Sequence, residues 1–261
     1  MQSGYPMMPQ TRARGALIGL AVGDALGTTL EFQLKNTDPH RERVTDLVGG
    51  GPFDLPAGYY TDDTAMAYAL GDSLRQYGYD PRRQAEAYVA WLRTGKYDAT
   101  GKCFDIGNTV HDALAYFERA GEPYAGSTDP QSAGNGSLMR LAPIPIYFKN
   151  AVDAIFHSGD QSRVTHGAPQ AVSACRYFGG LLFGAIHGAT KEDLLSPLYH
   201  PAGEKWAGLH RAIAEIARGS FKQKAEADIR ASGYVAHTLD FSSVLTCPST
   251  RRLPEAQALT I

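Results

Sequence analysis

The sequence predicts an all-α fold, built as a single helical domain, and three observations carry that prediction. Apolar residues recur at helical spacing in one segment after another. Alternating, strand-like patterns are nearly absent. The chain of 261 residues with 43% hydrophobic content suffices for a substantial core. No internal repeat or low-complexity linker divides it.

The elements follow in order. Residues 1–13 hold no apolar core of signal-peptide length and read as a flexible N-terminal segment. From Arg14 to Leu26 the run RGALIGLAVGDAL sets Leu17, Leu20 and Ala21 on one helical face. Its glycines are poor helix formers but admit close approach of another backbone, so this run reads as a tightly packed, buried helix. Residues 33–58 are polar, and Gly49-Gly50-Gly51-Pro52 marks a loop.

Helical spacing returns from Thr61 to Tyr77, with Met66, Ala69, Leu70 and Leu74 in register, and again over 82–94 and 107–120. Asp129 to Ser137 reads as a loop, and the LAPIPIYF after it is too proline-rich for a regular helix. Thr165 to His187 is a long small-residue helical pattern, and residues 205–218 look amphipathic. The helical domain is placed at 14–239. Beyond it, FSSVLTCPSTRRLPEAQALTI carries two prolines and Ser/Thr clusters, so 240–261 reads as a divergent, weakly structured tail.

Charge is almost balanced, 25 Lys and Arg against 27 Asp and Glu. That argues against direct nucleic-acid binding and against a polybasic membrane anchor. The most apolar stretch, Phe178 to Ile186, is too short and glycine-rich to span a bilayer. Cys103, Cys175 and Cys247 form no CxxC pair, which argues against a disulfide scaffold and structural zinc and fits a reducing cytoplasm.

The chemistry begins at YYTDDTAMAY, residues 59–68. One reading is helix initiation: Thr61 or an aspartate caps free N–H groups, and early acids complement the helix dipole. The other is a hard-cation site, because adjacent carboxylates and a hydroxyl are ligands for Mg²⁺, Mn²⁺ or Ca²⁺. Two like charges held together are otherwise unfavourable, and a cation relieves them. Such a shell needs acids from elsewhere in the chain.

Other segments offer candidates, each with a plainer alternative. GDALGTTLEF (23–32) sets Asp24 in an apolar helix and Glu31 just after it, either functional acids or a solvent-facing pair. FDIGNTV (104–110) places Asp105 and Asn108 at a helix start, where either is also a plausible cap. AGNGSLMRLAPIP (133–145) is a glycine-flanked loop whose amides could cradle phosphate or ribose oxygens, or simply a turn. THGAPQAV (165–172) offers His166, and a lone histidine is more often structural. His111–Asp112 suggests a metal phosphohydrolase, but no further histidines and acid at suitable spacing complete such a set. Together the candidates place polar groups at the ends of small-residue helices, and several helix ends converging on one cleft would make an anion and metal site.

The ordered set GALIGLAVGDALGTTLEF, YTDDTAMAYAL, FDIGNTV, GNGSLMRLAPIP, THGAPQAV and SGYVAHTL resembles the ADP-ribosylglycohydrolases, the family of dinitrogenase reductase-activating glycohydrolase, from about residue 14 to about residue 239. The resemblance implies an all-α fold, a binuclear Mg²⁺ or Mn²⁺ centre, and hydrolysis of ADP-ribose from modified arginine, serine or other acceptors. It implies Thr61, Asp62 and Asp63 as metal ligands, and Glu31 as an acid that reaches the second metal. It implies Asp105 as a catalytic acid, with Glu31 as its alternative for the role of general base. Asn108, Gly134, Asn135, Gly136, Ser137, His166 and Tyr234 match substrate-contacting positions. The implied partner is an ADP-ribosylated protein or an ADP-ribose conjugate.

One departure stands out. After the segment matching SGYVAHTL the family continues to an Asp-x-Asp-Thr-like motif that completes both metal shells. Here Asp240 and Glu255 are the only acids after Tyr234, and neither lies in such a motif. The expectation is a chain truncated or divergent at this end, with an impaired second metal site. The alternative to an active hydrolase is an inactive relative that still binds ADP-ribose.

Overall fold

The computed structural model describes residues 9–33, 44–224, 228, 230 and 232–246. It is helical throughout, as the sequence predicts. The helices are α1 (Pro9–Gly27), α2 (Asp62–Tyr77), α3 (Pro81–Thr94), α4 (Asn108–Ala120), α5 (Pro143–Tyr147), α6 (Ala151–Ser162), α7 (Pro169–Ile186), α8 (Lys191–Leu194), α9 (Arg211–Ala217) and α10 (Val235–Thr246). Among the described residues, strand pairing is limited to three isolated bridges.

Local chemistry sets several boundaries. Asp80 caps α3 by accepting from the Arg82 and Arg83 amides, Pro81 opens its first turn, and left-handed Gly95 ends it. The prolines of LAPIPIYF do not prevent a helix as expected. Pro143 sits at the first position of α5, where its missing N–H breaks no helical bond, and the helix stays short. α9 is shorter than the amphipathic stretch suggests.

The core forms where α2, α3, α4 and α7 meet. Met66, Leu70, Tyr88, Trp91, Leu114 and Leu141 lie within one buried cluster. α6 and α7 pack most extensively of all the pairs. Small residues allow this: an added Cβ at Gly179 would fall 2.1 Å from Ser158 Oγ.

Both ends of the chain differ from expectation. The supposed flexible segment is already helical from Pro9, within α1. α1 is not a buried helix either: Leu17, Ile18 and Val22 are exposed, and burial starts only at Gly23. Nothing lies within 4 Å of a Cβ placed at Gly15 or Gly19. The helix packs by its last turns against α2 and α7, so only its C-terminal end is covered. At the other end, α10 runs past the expected boundary at Leu239 to Thr246. Residues 240–246 contain neither proline nor glycine, and the first breaker is Pro248. The remainder of the expected tail lies outside the described residues.

Candidate active site

The acids of TDDT do not cap their own helix. Asp24, on α1, does so from across the fold. Its carboxylate accepts the amide of Thr61 at 3.0 Å and the hydroxyl of Thr61 at 2.8 Å. It also accepts the amide of Thr64 at 3.0 Å and the hydroxyl of Thr64 at 2.6 Å. One buried carboxylate thus satisfies the first turn of α2 and clamps it to α1. Burial pushes the Asp24 carboxyl up, and these four donors oppose that shift.

Asp62 and Asp63 are thereby freed from capping. They are 7% and 8% exposed, and no other described residue gives either carboxylate a hydrogen bond or an ion pair. Both are pushed well above the usual carboxylate range by burial first. Neighbouring carboxylates add to this: Asp105, Asp24 and Glu31 act on Asp62, and Asp24, Asp62, Glu31 and Asp105 on Asp63.

Glu31 follows a 3₁₀ turn, Thr28–Leu30, at the end of α1, and burial with the Asp105 charge pushes it up to about 8. Its Oε2 is buried without a partner. Asp105 is raised to about 6 by burial, an effect the Glu31 carboxyl opposes through a hydrogen bond. The two carboxyls thus titrate as a pair that is held more protonated than free carboxylates. Asp105 has φ +55°, a left-handed conformation rare outside glycine and asparagine, which sets its side chain ahead of α4. Neither Asp105 nor Asn108 caps α4: the capping position is Gly107, with no side-chain bond, and Asn108 is exposed.

The glycine-flanked loop meets the start of α10. Asn135 N donates to Gly233 O and Val235 N to Ala133 O, each at 3.0 Å, framing a bridge between Gly134 and Tyr234. Asn135 Nδ2 donates to Thr238 Oγ1 at 3.2 Å. Gly134, Asn135 and Tyr234 are partly exposed.

Ser137 and His166 are both buried. Ser137 is fully buried, accepting from Ser162 Oγ at 2.7 Å. His166 is 2% exposed and lies beneath the loop, where an added Cβ at Gly136 would fall 2.9 Å from its Cε1. Ser137 Oγ is engaged within the fold, whereas His166 Nε2 makes no hydrogen bond among the described residues and lies under Gly134, where an added Cβ would fall 3.1 Å from it. Gly136 is also buried, and its carbonyl accepts from Arg140 Nη1 at 3.2 Å.

Arg140 escapes any reading of the sequence as a candidate. It is fully buried, donates to Gln161 and to Thr165 Oγ1, and lies 4.5 Å from the centroid of the Tyr88 ring. Asp24's capping role was equally hidden, since it joins residues 37 and 40 positions apart. An aromatic ridge beside the acids is a third such feature. Phe53 packs edge-on against Phe104 at 5.2 Å and Phe32 at 6.2 Å, next to Asp105 and Glu31 in the chain. His111 and Asp112 sit exposed on α4, 3.4 Å apart, as a decorated helix face does.

The acids suit a hard cation by donor type, since all are oxygen ligands in need of positive charge. Among the described residues, however, no group of three His, Cys, Asp or Glu side chains could by itself hold a metal ion. That fits Mg²⁺ only in its open mode, in which one or two carboxylates are joined by waters and substrate oxygens.

Comparison with known proteins bears on this arrangement. A family model described as ADP-ribosylglycohydrolase matches residues 6–256. An ADP-ribosylarginine hydrolase of Pseudomonas putida (strain GB-1) is 44% identical over 237 residues, covering 90% of this chain and 61% of that protein. One of Serratia proteamaculans (strain 568) is 40% identical over 231 residues, covering 88% of this chain and 60% of that protein. The chain thus spans less than two thirds of the length of these two relatives. A solved structure, an ADP-ribosylglycohydrolase-related protein complex, superposes with TM-score 0.76 at 37% identity over 93% of this chain and 76% of that one.

Proposed function

The chain belongs to the ADP-ribosylglycohydrolase family, and from that premise we propose that it hydrolyses the bond between ADP-ribose and a modified protein side chain, using Mg²⁺ or Mn²⁺. The acceptor we favour is arginine, because two relatives at 44% and 40% identity bear the name ADP-ribosylarginine hydrolase. The observation that carries this reading is the meeting of Asp24, Glu31, Asp62, Asp63 and Asp105, close enough that their charges add to burial in raising Glu31, Asp62 and Asp63.

Breaking a ribosyl bond builds positive charge on the anomeric carbon and its ring oxygen. Asp105, when ionised, would take a proton from the attacking water or stabilise that charge. As water's oxygen bonds to the anomeric carbon, the electron pair of the breaking C–N bond leaves with the guanidine, which takes up a proton. Asp62, Asp63, Glu31 and the Thr61 hydroxyl oxygen are the groups that would hold the cation. Thr61 gives its hydrogen to Asp24 and keeps a lone pair free. Glu31 serves as a ligand only when ionised, so cation binding and proton release are linked there. The cation's contribution, when bound, is to orient ribose hydroxyls and water and to neutralise charge. Gly134, Asn135, Asn108 and Tyr234, all at least partly exposed, are the positions assigned to contact the ligand.

One observation favours a second reading, an inactive ADP-ribose-binding relative: the described acids do not close a metal shell. The test is a thermal-melting series with ADP-ribose, with and without Mg²⁺ or Mn²⁺, followed by turnover on ADP-ribosylated arginine. A metal-dependent rise abolished by Asp62→Ala, together with turnover, is expected. A rise without turnover selects the binding relative. No rise in a cooperatively folded protein overturns both.

A further inference from the structure

A separate cavity of about 590 Å³ opens between α6, α7 and the 200–208 loop. It shares no lining residue with the site described above. The volume lies within the range of small-molecule sites, about 300–1,000 Å³. We propose that this cavity is a second ligand site, taking a phosphate ester that carries a flat aromatic ring, in chemical class a nucleoside monophosphate.

The polar end is built around Arg176. This guanidinium is partly buried, yet among the described residues it has neither a hydrogen bond nor an ion pair. A partly desolvated fork of five donors calls for an oxyanion. Its stem is held in place: a Cβ added at Gly159 would lie 2.5 Å from Arg176 Cγ and 3.1 Å from Cδ, so only glycine there lets the stem lie flat on α6. Arg163 lines the same cavity, and burial together with its charge lowers the proton affinity of Arg176. Two guanidiniums so close repel each other unless an anion joins them.

The lining carboxylates do not fill that role. Asp160 accepts the hydroxyls of Tyr79 at 2.7 Å and Tyr124 at 2.8 Å, and keeps only a 3.7 Å approach to Arg163. Glu204 is exposed at the rim and forms no ion pair with either arginine. The first turn of α7 opens on the cavity at Gly167 and Pro169 without a side-chain cap, adding positive potential.

The flat end is Trp206. Its indole N–H donates to Tyr199 O at 2.9 Å, and its ring meets Tyr177 and His200 edge-on at 5.5 and 4.6 Å. A Cβ added at Gly180 would come within 3.1 Å of the ring, which is therefore seated tightly on α7. A ring so fixed offers a preformed stacking wall at little entropic cost. Phe156, exposed, lines the same cavity.

Isothermal titration of the full chain with AMP, adenosine and inorganic phosphate tests this, using wild type, Arg176→Met, Arg163→Gln and Asp62→Ala. AMP is expected to bind more tightly than either fragment. Arg176→Met is expected to weaken it by about 10-fold or more, the worth of a charged hydrogen bond, and Asp62→Ala to leave it unchanged. Arg163→Gln should weaken it as well, and carries the test should Arg176→Met fail to melt cooperatively. AMP binding lost in Asp62→Ala but kept in Arg176→Met would place the nucleotide among the acids and overturn the proposal. So would phosphate binding as tightly as AMP, or no AMP binding at all.

Discussion

Asp24 Oδ2 accepts the Thr64 hydroxyl at 2.6 Å, across 40 residues of chain, and this contact ties the first helix to the start of the acid-bearing one. Asp24→Ala would strand four buried donors, the amides and hydroxyls of Thr61 and Thr64. We expect a loss of about 2–4 kcal/mol in urea unfolding, the range for breaking a buried network. A loss below about 1 kcal/mol would mean that water replaces the carboxylate at little cost.

Glu31 makes a prediction of opposite kind. Its folded-state value is raised to about 8, so the folded protein holds a proton that the unfolded chain releases near 4.5. The stability this contributes is present below 4.5 and is lost as pH rises towards 8. In EDTA, Glu31→Gln should therefore melt a few degrees higher than wild type at pH 8, about the effect of 1 kcal/mol in a domain of this size, and no higher at pH 4.5. With Mn²⁺ added the order should reverse, because the amide is a poorer ligand. A pH-independent difference between the two proteins would remove Glu31 from the shared-proton arrangement.

These two residues also show what the sequence can reveal. Helix content, the order of the helices and the acids at 62 and 63 are local patterns, and the period of 3.6 and the turn residues make them legible. Thr61 and the acids after it read first as helix capping and second as a cation site. Only the approach of Asp24 shows that the cap comes from elsewhere, and that contact is set by how α1 crosses α2. Burial is likewise a tertiary property. The glycines of α1 suggested close packing, yet Gly15 and Gly19 face open space. Ser137 and His166 lie in the motif-bearing segments, but the loop folds over them. The helix that continues to Thr246 was obscured by Pro248, whose effect begins one turn later than composition suggests.

Arg140 should be among the least replaceable residues. It is fully buried with no carboxylate partner, and its charge is met by Gln161, Thr165, the Gly136 carbonyl and the face of Tyr88. Arg140→Met would strand the Gln161 and Gly136 oxygens and remove the prop beneath the loop. A loss of about 2–4 kcal/mol is expected, from the stranded acceptors and the lost packing. Arg140→Lys should not restore it, because a point charge cannot reproduce the planar fork. Urea unfolding of both variants checks this, and a stable lysine variant would show that charge alone is what the site requires.

His166 gives the acid side of the stability curve. Arg140 Nη1 donates to Thr165 Oγ1 at 2.8 Å, and Thr165 Oγ1 stands 2.8 Å from His166 Nδ1. Thr165 Oγ1 spends one lone pair on Arg140 and shares one further hydrogen bond with Nδ1 of the neutral ring. A second proton has no place: burial first, and the Arg140 charge second, lower the imidazole to about 3. The unfolded chain takes up that proton near 6.5, so it binds more protons than the folded state between these values. Stability must then fall as pH drops from 6.5 towards 3. His166→Gln keeps an acceptor and loses the titration. Its unfolding free energy should change less steeply with pH over that window than the wild-type value does, even if the variant is less stable at pH 7. Equal slopes in the two proteins would mean that the histidine is protonated in the folded state, and the hydrogen bonds of Thr165 with Arg140 and His166 would have to be reassigned.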